Sequence, residues 1–362
     1  MEDSIYRQGK AGRFLYALIN KFMYFTPILL SNWKFRRCLL IPLYKIKALE
    51  AKESHELKRA KTVLYMVQPE TTFSGGLSDR LRAIISIYKE CKKQGYDFRI
   101  VFEPLHLQDY LEPNQYDWRI SNEDIVWDTE RVFPCTILTY HHNLQNSLQR
   151  FAQRTVLRYF LQKKYEQIHV YSNMATEEDE YGILFDELFK PTQELQEQIE
   201  YHLARLGGRG NYISATFRFR QLLGDFKEGG ETLPEEDRRK YIERCITRVK
   251  DIHKHHPGKK ILVTSDSSTF LNELMLSVKA QVSPPVCDAS SNWLYVIPGR
   301  VVHFGFTFDA GKKTYMKSFI DYYMLSYAST VYLVRDKLMY HSGFPERAAM
   351  LYDTNYDEIN LN

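Results

Sequence analysis

Between Lys61 and Pro104 the chain reads strand, glycine turn, helix, strand, and that order leaves few folds open. KTVLYMVQPE is a nearly unbroken apolar run, as a strand covered on both faces requires. SGGLSDRLRAIISIYKECKKQG follows, with Leu77, Leu81, Ile84, Ile85 and Tyr88 at helical spacing and Gly95 as its stop. DFRIVFEP supplies the next strand. A helix joining two neighbouring strands is a crossover, so this stretch predicts a βαβ unit in a parallel sheet.

The alternation continues. CTILTY and IHVYS read as strands around the helix SLQRFAQRTVLRYFLQKKY, and PTQELQEQIEYHLARLGG is a polar helix with a Gly-Gly stop. Past Gly207 the pattern starts again: NYISATFRF, KKILVTSD, WLYVIP, RVVHF and VYLVRD as strands, with helices over 234–256, SSTFLNELMLSV, YMKSFIDYYMLSYAS and SGFPERAAMLYD. At 362 residues the chain is long enough for two cores. The expected fold class is α/β, two Rossmann-like domains facing across a cleft, with ligands at the carboxyl ends of the strands. The expected divisions are a basic apolar segment and linker over 1–60, one domain over 61–207 and another over 208–362.

Composition narrows the function. A net charge of +4 is too small to point to nucleic acid. The cysteines Cys38, Cys91, Cys135, Cys245 and Cys287 are odd in number and scattered, without the paired spacing of a zinc site or a disulfide framework. With no secretory-type apolar stretch in MEDSIYRQGK, the expected location is cytoplasmic. Residues 11–48 are apolar and aromatic but interrupted by Lys21, Lys34, Arg36 and Arg37, so no run reaches the roughly 18 residues that span a bilayer. Two readings of this segment stay open: a peripheral contact on the inner face of a membrane, or helices docked on the protein's own core.

Chemistry-bearing residues gather at strand-to-helix junctions. Gly75 and Gly76 open a helix with Arg80 and Arg82 in its first turns, where backbone approaches closely and the helix end favours anions. Thr216 to Asp225 carries Arg218 and Arg220, whose planar guanidinium groups match phosphate oxygens. Ser265, Asp266, Ser267 and Ser268 can cap a helix or bond a base or ribose, and His341 to Arg347 places Ser342, Gly343 and Phe344 at another helix start. His141, His142, His253, His255 and His256 read as surface histidines, and the acidic run 177–180 as a solvated loop.

These four junctions, in this order, resemble the GT-B fucosyltransferases, the group of α-1,6-fucosyltransferases, nodulation fucosyltransferases and protein O-fucosyltransferases. The Gly75-Gly76-Leu77-Ser78-Asp79-Arg80-Leu81 run is similar to the family's glycine-pair motif, and Arg218 falls on the family's key arginine. Ser265-Asp266-Ser267 resembles the family's hydroxyl-and-acid segment, and Ser318 to Leu333 followed by Ser342 to Ala348 resembles its ending. Thr216 stands where the family has a histidine for the guanine nucleotide, Phe219 replaces a second arginine, and Asp225 lies further from Arg218 than the family acid. Arg220 is the nearest substitute, two residues on. These departures bear on the nucleotide sugar rather than on the fold.

The resemblance implies an inverting, metal-independent transfer of fucose from GDP-fucose to a glycan hydroxyl, with a lipid-linked acceptor as one option. The first domain would then hold the acceptor and the second the nucleotide sugar. Arg218 would neutralise the leaving diphosphate, and a carboxylate would take the acceptor proton; Glu70, Asp79 and Asp225 are the candidates, with Glu70 favoured. Gly75, Gly76, Arg80, Thr216, Arg220, Asp266, Ser267, Ser342, Gly343 and Phe344 would bind the donor. No resident cofactor, metal or nucleic acid is implied. The alternatives are a GT-B enzyme using another nucleotide sugar and a non-catalytic glycan-binding α/β protein.

Overall fold

A computed structural model describes residues 31–50, 61–67, 75–137, 147–174, 180–225, 231–279, 293–299 and 311–361. The chain divides into two compact units, Met1–Leu107 with Pro113–Phe189, and Gln108–Glu112 with Lys190–Asn362.

The first unit is built on a parallel sheet. Helix α1 (Ser31–Glu50) precedes β1 (Thr62–Val67), and α2 (Leu77–Gln94) crosses to β2 (Asp97–Phe102). In chain order follow the short β3 (Leu111–Pro113), whose first two residues belong to the second unit, then β4 (Val132–Ile137), α3 (Ser147–Leu161), β5 (Gln167–Ser172), α4 (Tyr181–Leu188) and β6 (Phe189–Pro191), which runs from the end of the first unit into the second. The strand order is β2-β1-β5-β4, with Val63 opposite Phe98 and Ile168. Every residue of β1 is buried, which is why the sequence shows a continuous apolar run instead of alternation. Helix α2 begins at Gly76, whose N–H donates to Asp79 Oδ2 at 3.2 Å, and ends at Gly95 with φ +68°.

Residues 40–50 dock on the core through one side of α1. Leu40 and Tyr44, one helical turn apart, are buried against Leu64, Met66, Val132 and Tyr171. Tyr44 also anchors a polar chain. His169 Nε2 lies 2.9 Å from the Gln167 carbonyl oxygen, an acceptor, so Nε2 carries the proton. Nδ1 then accepts from the Tyr44 hydroxyl at 2.7 Å, and Tyr44 oxygen accepts from Tyr171 at 3.1 Å. Burial pushes the His169 ring down to about 3, so the neutral form fits this chain of bonds. Residues 11–30 lie outside the described residues.

The second unit carries a five-stranded sheet in the order β11-β10-β7-β8-β9. Its elements are α5 (Gln193–Leu206), β7 (Tyr212–Phe217), α6 (Glu235–Lys254), β8 (Lys260–Ser265), α7 (Ser268–Lys279) and β9 (Leu294–Tyr295). They are followed by α8 (Lys312–Ser326), β10 (Thr330–Arg335), α9 (Gly343–Ala349) and β11 (Asn355–Asn360). All its ladders are parallel. The unit boundary at Lys190 falls ahead of α5, whereas the sequence-based junction near Gly207 falls behind it. Ile213, Ala215, Phe217, Ile261 and Val263 join Phe270 and Leu274 in the core. The run WLYVIP contributes only two strand residues, RVVHF lies outside the described residues, and β11 is a strand the sequence did not announce. Its NYDEIN is polar and mostly exposed, because β11 is an edge strand and needs no apolar run.

Candidate active site

Phe217, the last residue of β7, is opposite Ser265, the last of β8, so the residues that follow each strand emerge side by side. Asp266 uses that adjacency. Its Oδ1 accepts from the Phe219 N–H at 2.8 Å; its Oδ2 accepts from the Arg220 N–H at 2.7 Å and from Arg218 Nη1 at 2.5 Å. Asp266 is 5 % exposed, so this carboxylate satisfies its burial with two backbone amides and one guanidinium. It holds the Arg218–Arg220 turn in place, including Arg220 at φ +54°, a conformation costly for a non-glycine residue. The fourth junction ties on through Tyr340, whose N–H donates to Arg218 O at 3.1 Å and whose ring lies 5.0 Å from the Arg220 guanidinium.

Asp225 is engaged at the start of α7. Its Oδ2 accepts from Ser267 Oγ at 2.5 Å; its Oδ1 accepts from Ser268 Oγ at 2.9 Å, Thr269 N–H at 3.1 Å and Thr269 Oγ1 at 2.9 Å. Ser267 in turn accepts from the Phe270 N–H at 3.0 Å, capping the helix. Thr216, half a turn of strand below Arg218, bonds Thr264 on the neighbouring strand at 2.8 Å. Ser342 caps α9 through Phe344 N–H at 3.3 Å, and Gly343 is the first residue of that helix. The Phe344 ring meets Tyr322 edge-on at 5.2 Å. Asp266 thus joins Arg218 and Arg220, and Asp225 joins Ser267; the two hydrogen-bond systems adjoin at the Asp266–Ser267 step of the chain.

The glycine turn of the first unit is also densely bonded. Gly75 has φ +64°, and a Cβ there would sit 2.5 Å from Asp79 Oδ2. Arg80 Nε donates to Gly75 O at 3.0 Å, and its guanidinium lies 5.1 Å from the Phe102 ring. Arg82 Nε donates to Asn173 O at 3.0 Å, and Nη2 pairs with Asp79 Oδ1 at 2.8 Å. Glu70 lies outside the described residues.

Sequence reasoning passed over two clusters. Lys317 Nζ bonds Asp321 Oδ2 at 2.6 Å inside α8, where both are buried and, among the described residues, Oδ1 of Asp321 has no hydrogen-bond partner. Burial lifts the Asp321 carboxyl, with Lys317 opposing. Two charges four residues apart in an otherwise aromatic helix were the available signal. His341 Nε2 meets Glu358 Oε1 at 2.7 Å and Arg335 Nε meets Oε2 at 2.6 Å; burial works against the Glu358 charge, but these partners hold the carboxyl below its usual range. This second cluster needed the fold to bring β11 alongside β10. His253 and His256 are half-buried rather than surface groups: His253 stacks on Trp293 at 4.3 Å and His256 bonds the Tyr332 hydroxyl at 2.8 Å. His141 and His142 lie outside the described residues. Among the described residues, no three metal-ligating side chains come together.

No known family matches the sequence, and no curated protein matches it. Solved structures do. The NodZ alpha-1,6-fucosyltransferase soaked with GDP-fucose aligns with a TM-score of 0.51 at 13 % identity, over 81 % of this chain and 93 % of that one. The fucosyltransferase NodZ from Bradyrhizobium, in its Se-Met form, aligns with a TM-score of 0.50 at 14 % identity, over the same 81 % and 93 %. A mutant of Arabidopsis thaliana FUT1 in complex with GDP gives a TM-score of 0.49 at 13 % identity, over 87 % of this chain and 74 % of that one. At 13 to 14 % identity the two NodZ alignments establish a fold, and it is the α/β fold of the GT-B fucosyltransferases.

Proposed function

We propose that the protein is an inverting, metal-independent glycosyltransferase that moves fucose from GDP-fucose to a glycan hydroxyl. The observation that carries this reading is Arg218, at the carboxyl end of β7, oriented by Asp266. In-line attack at the anomeric carbon breaks the bond to the diphosphate and leaves charge on its β-phosphate. A guanidinium already held in place stabilises that charge without reorganising, the role a metal ion fills elsewhere. Asp266 is the positioning residue of the pair. Ser267 and Asp225 support it by fixing the start of α7; with four donors on its oxygens, Asp225 serves in this reading as a cap. Glu70 is the proposed base that takes the acceptor proton as the new glycosidic bond forms. Gly75, Gly76 and Arg80 shape the turn at the start of α2, and Ser342, Gly343 and Phe344 line the junction next to Arg218.

One observation favours a second donor. The Thr216 hydroxyl, at the position of the family histidine, is bonded to Thr264, which supports a nucleotide sugar other than GDP-fucose on the same fold. A thermal-shift panel of GDP, UDP, CDP and ADP against wild type and Arg218→Ala separates the readings, since a ligand at 100 times its Kd stabilises by about 2.7 kcal/mol. A shift with GDP that disappears in the variant is expected. A shift with UDP or CDP instead changes the donor, and none with any nucleotide leaves the glycan-binding alternative.

A further inference from the structure

We propose that Tyr241 and Asp336 are positioning residues for the donor diphosphate, setting Arg220 through Tyr340; this rests on the transferase reading, in which Arg218 meets that diphosphate. Two carboxylates flank the continuation of β7. Phe217 lies between Ser265 on one side and Val334 on the other, and Asp266 and Asp336 are the first residues past β8 and β10. Asp266 fixes the 218–220 turn. Asp336 fixes the turn beyond β10, its Oδ1 accepting from the Leu338 N–H at 2.8 Å, the Met339 N–H at 3.2 Å and the Tyr241 hydroxyl at 2.7 Å. That turn delivers Tyr340, whose N–H returns the chain to Arg218 O and whose ring carries the Arg220 guanidinium.

Tyr241 does more than close a turn. An aspartate bonding the amides just beyond it is ordinary local geometry; the third donor comes from α6, 95 residues away in the chain. Tyr241 is 4 % exposed and touches both turns. Its ring meets Phe219, the residue between the two arginines, edge-on at 6.3 Å, while its hydroxyl holds Asp336. Burial, joined by Asp336, pushes that hydroxyl well above its usual range, so it keeps its proton and stays a donor. One rigid side chain therefore sets the 218–220 turn against the turn that carries Tyr340. The consequence falls on Arg220. An aromatic face under a guanidinium fixes the plane of the fork that matches phosphate oxygens, and binding is tighter when such a donor is held before the ligand arrives.

The test is calorimetric titration of the full-length protein with inorganic pyrophosphate, GDP, UDP, CDP and ADP, with melting recorded for each variant. Tyr241→Phe deletes one hydroxyl and keeps the ring; it should raise the Kd of every ligand that binds about fivefold. Asp336→Ala should do at least as much, and Asp336→Asn, which retains an accepting oxygen, should recover most of that loss. Arg220→Ala should itself weaken binding about tenfold, and in that background Tyr241→Phe should have no further effect on Kd, because its influence ends at Arg220. A merely structural role would lower the melting temperature in both backgrounds and leave Kd alone. Two results overturn the proposal and, with Arg218→Ala still abolishing binding, leave the transferase reading standing: a Tyr241→Phe Kd equal to wild type, or a fivefold rise that persists without Arg220. Wild type that binds none of the five ligands overturns both.

Discussion

The two strand-to-helix junctions that carry arginine next to glycine look alike in sequence and differ in what holds them. In the first unit Arg80 and Arg82 are buried and bonded to backbone carbonyls of Gly75 and Asn173, with Asp79 pairing Arg82. In the second, Arg218 is oriented by Asp266, a carboxylate that at the same time fixes the two amides beyond it. One junction uses its arginines to close a turn; the other uses a carboxylate to aim one. What separates the two arginine-bearing turns is therefore the partner that holds them, which the sequence does not show.

The largest effect expected from this difference is on turnover. Arg218→Ala should lower kcat/KM for the sugar-nucleotide donor about a thousandfold, near 4 kcal/mol, while Arg80→Ala should change the melting temperature more than the rate. Steady-state kinetics and melting of both variants decide it, and an Arg218 variant with near-normal turnover would erase the distinction. Next comes acid sensitivity. His169 is held at about 3 in the fold against 6.5 unfolded. The unfolded chain takes up a proton that the native state refuses, so its contribution is complete above pH 6.5 and is lost as pH falls towards 3. The loss at pH 4 should be on the order of 3 kcal/mol, read as urea midpoints at pH 7, 5 and 4. In the second unit His202, pushed by burial to about 4, acts over a narrower window, so amide exchange should show the first unit opening earlier.

Smaller effects sharpen the comparison through the backbone. Gly75→Ala should destabilise by about 2 kcal/mol, because its Cβ would meet Asp79 Oδ2 at 2.5 Å. Gly224→Ala should cost less, since the Cβ there would meet Arg238 Nη1, the end of a flexible side chain, at 3.2 Å. Asp225→Ala should remove the α7 cap at about 1 kcal/mol with less loss of turnover than Arg218→Ala. A rate loss equal to that of Arg218→Ala, with the acidic limb of the pH profile gone, would make Asp225 the base.

Local pattern was enough for most of the described elements, β11 excepted. A nearly continuous apolar run marked β1 because parallel strands are covered on both faces, β-forming residues marked β7, and Gly95 and Gly207 marked helix ends because left-handed backbone suits glycine. The Arg218 junction stands out in the sequence because a permanent charge at the end of an apolar strand conflicts with burial unless it has a partner, and Asp266 is that partner. The partnerships were not legible. Asp266 with the 218–220 turn is 46 to 48 residues distant in sequence, Glu358 with His341 depends on an edge strand without an apolar signature, and Tyr44 with His169 spans 125 residues. Sequence by itself determined which segments are strands and helices and where charge meets strand ends, because period and propensity act over a few residues. Only the tertiary structure decided which side of α1 is buried and which carboxylate holds which arginine, because a hydrogen bond is set by distance in space, and neighbouring strands bring together residues that the chain keeps apart.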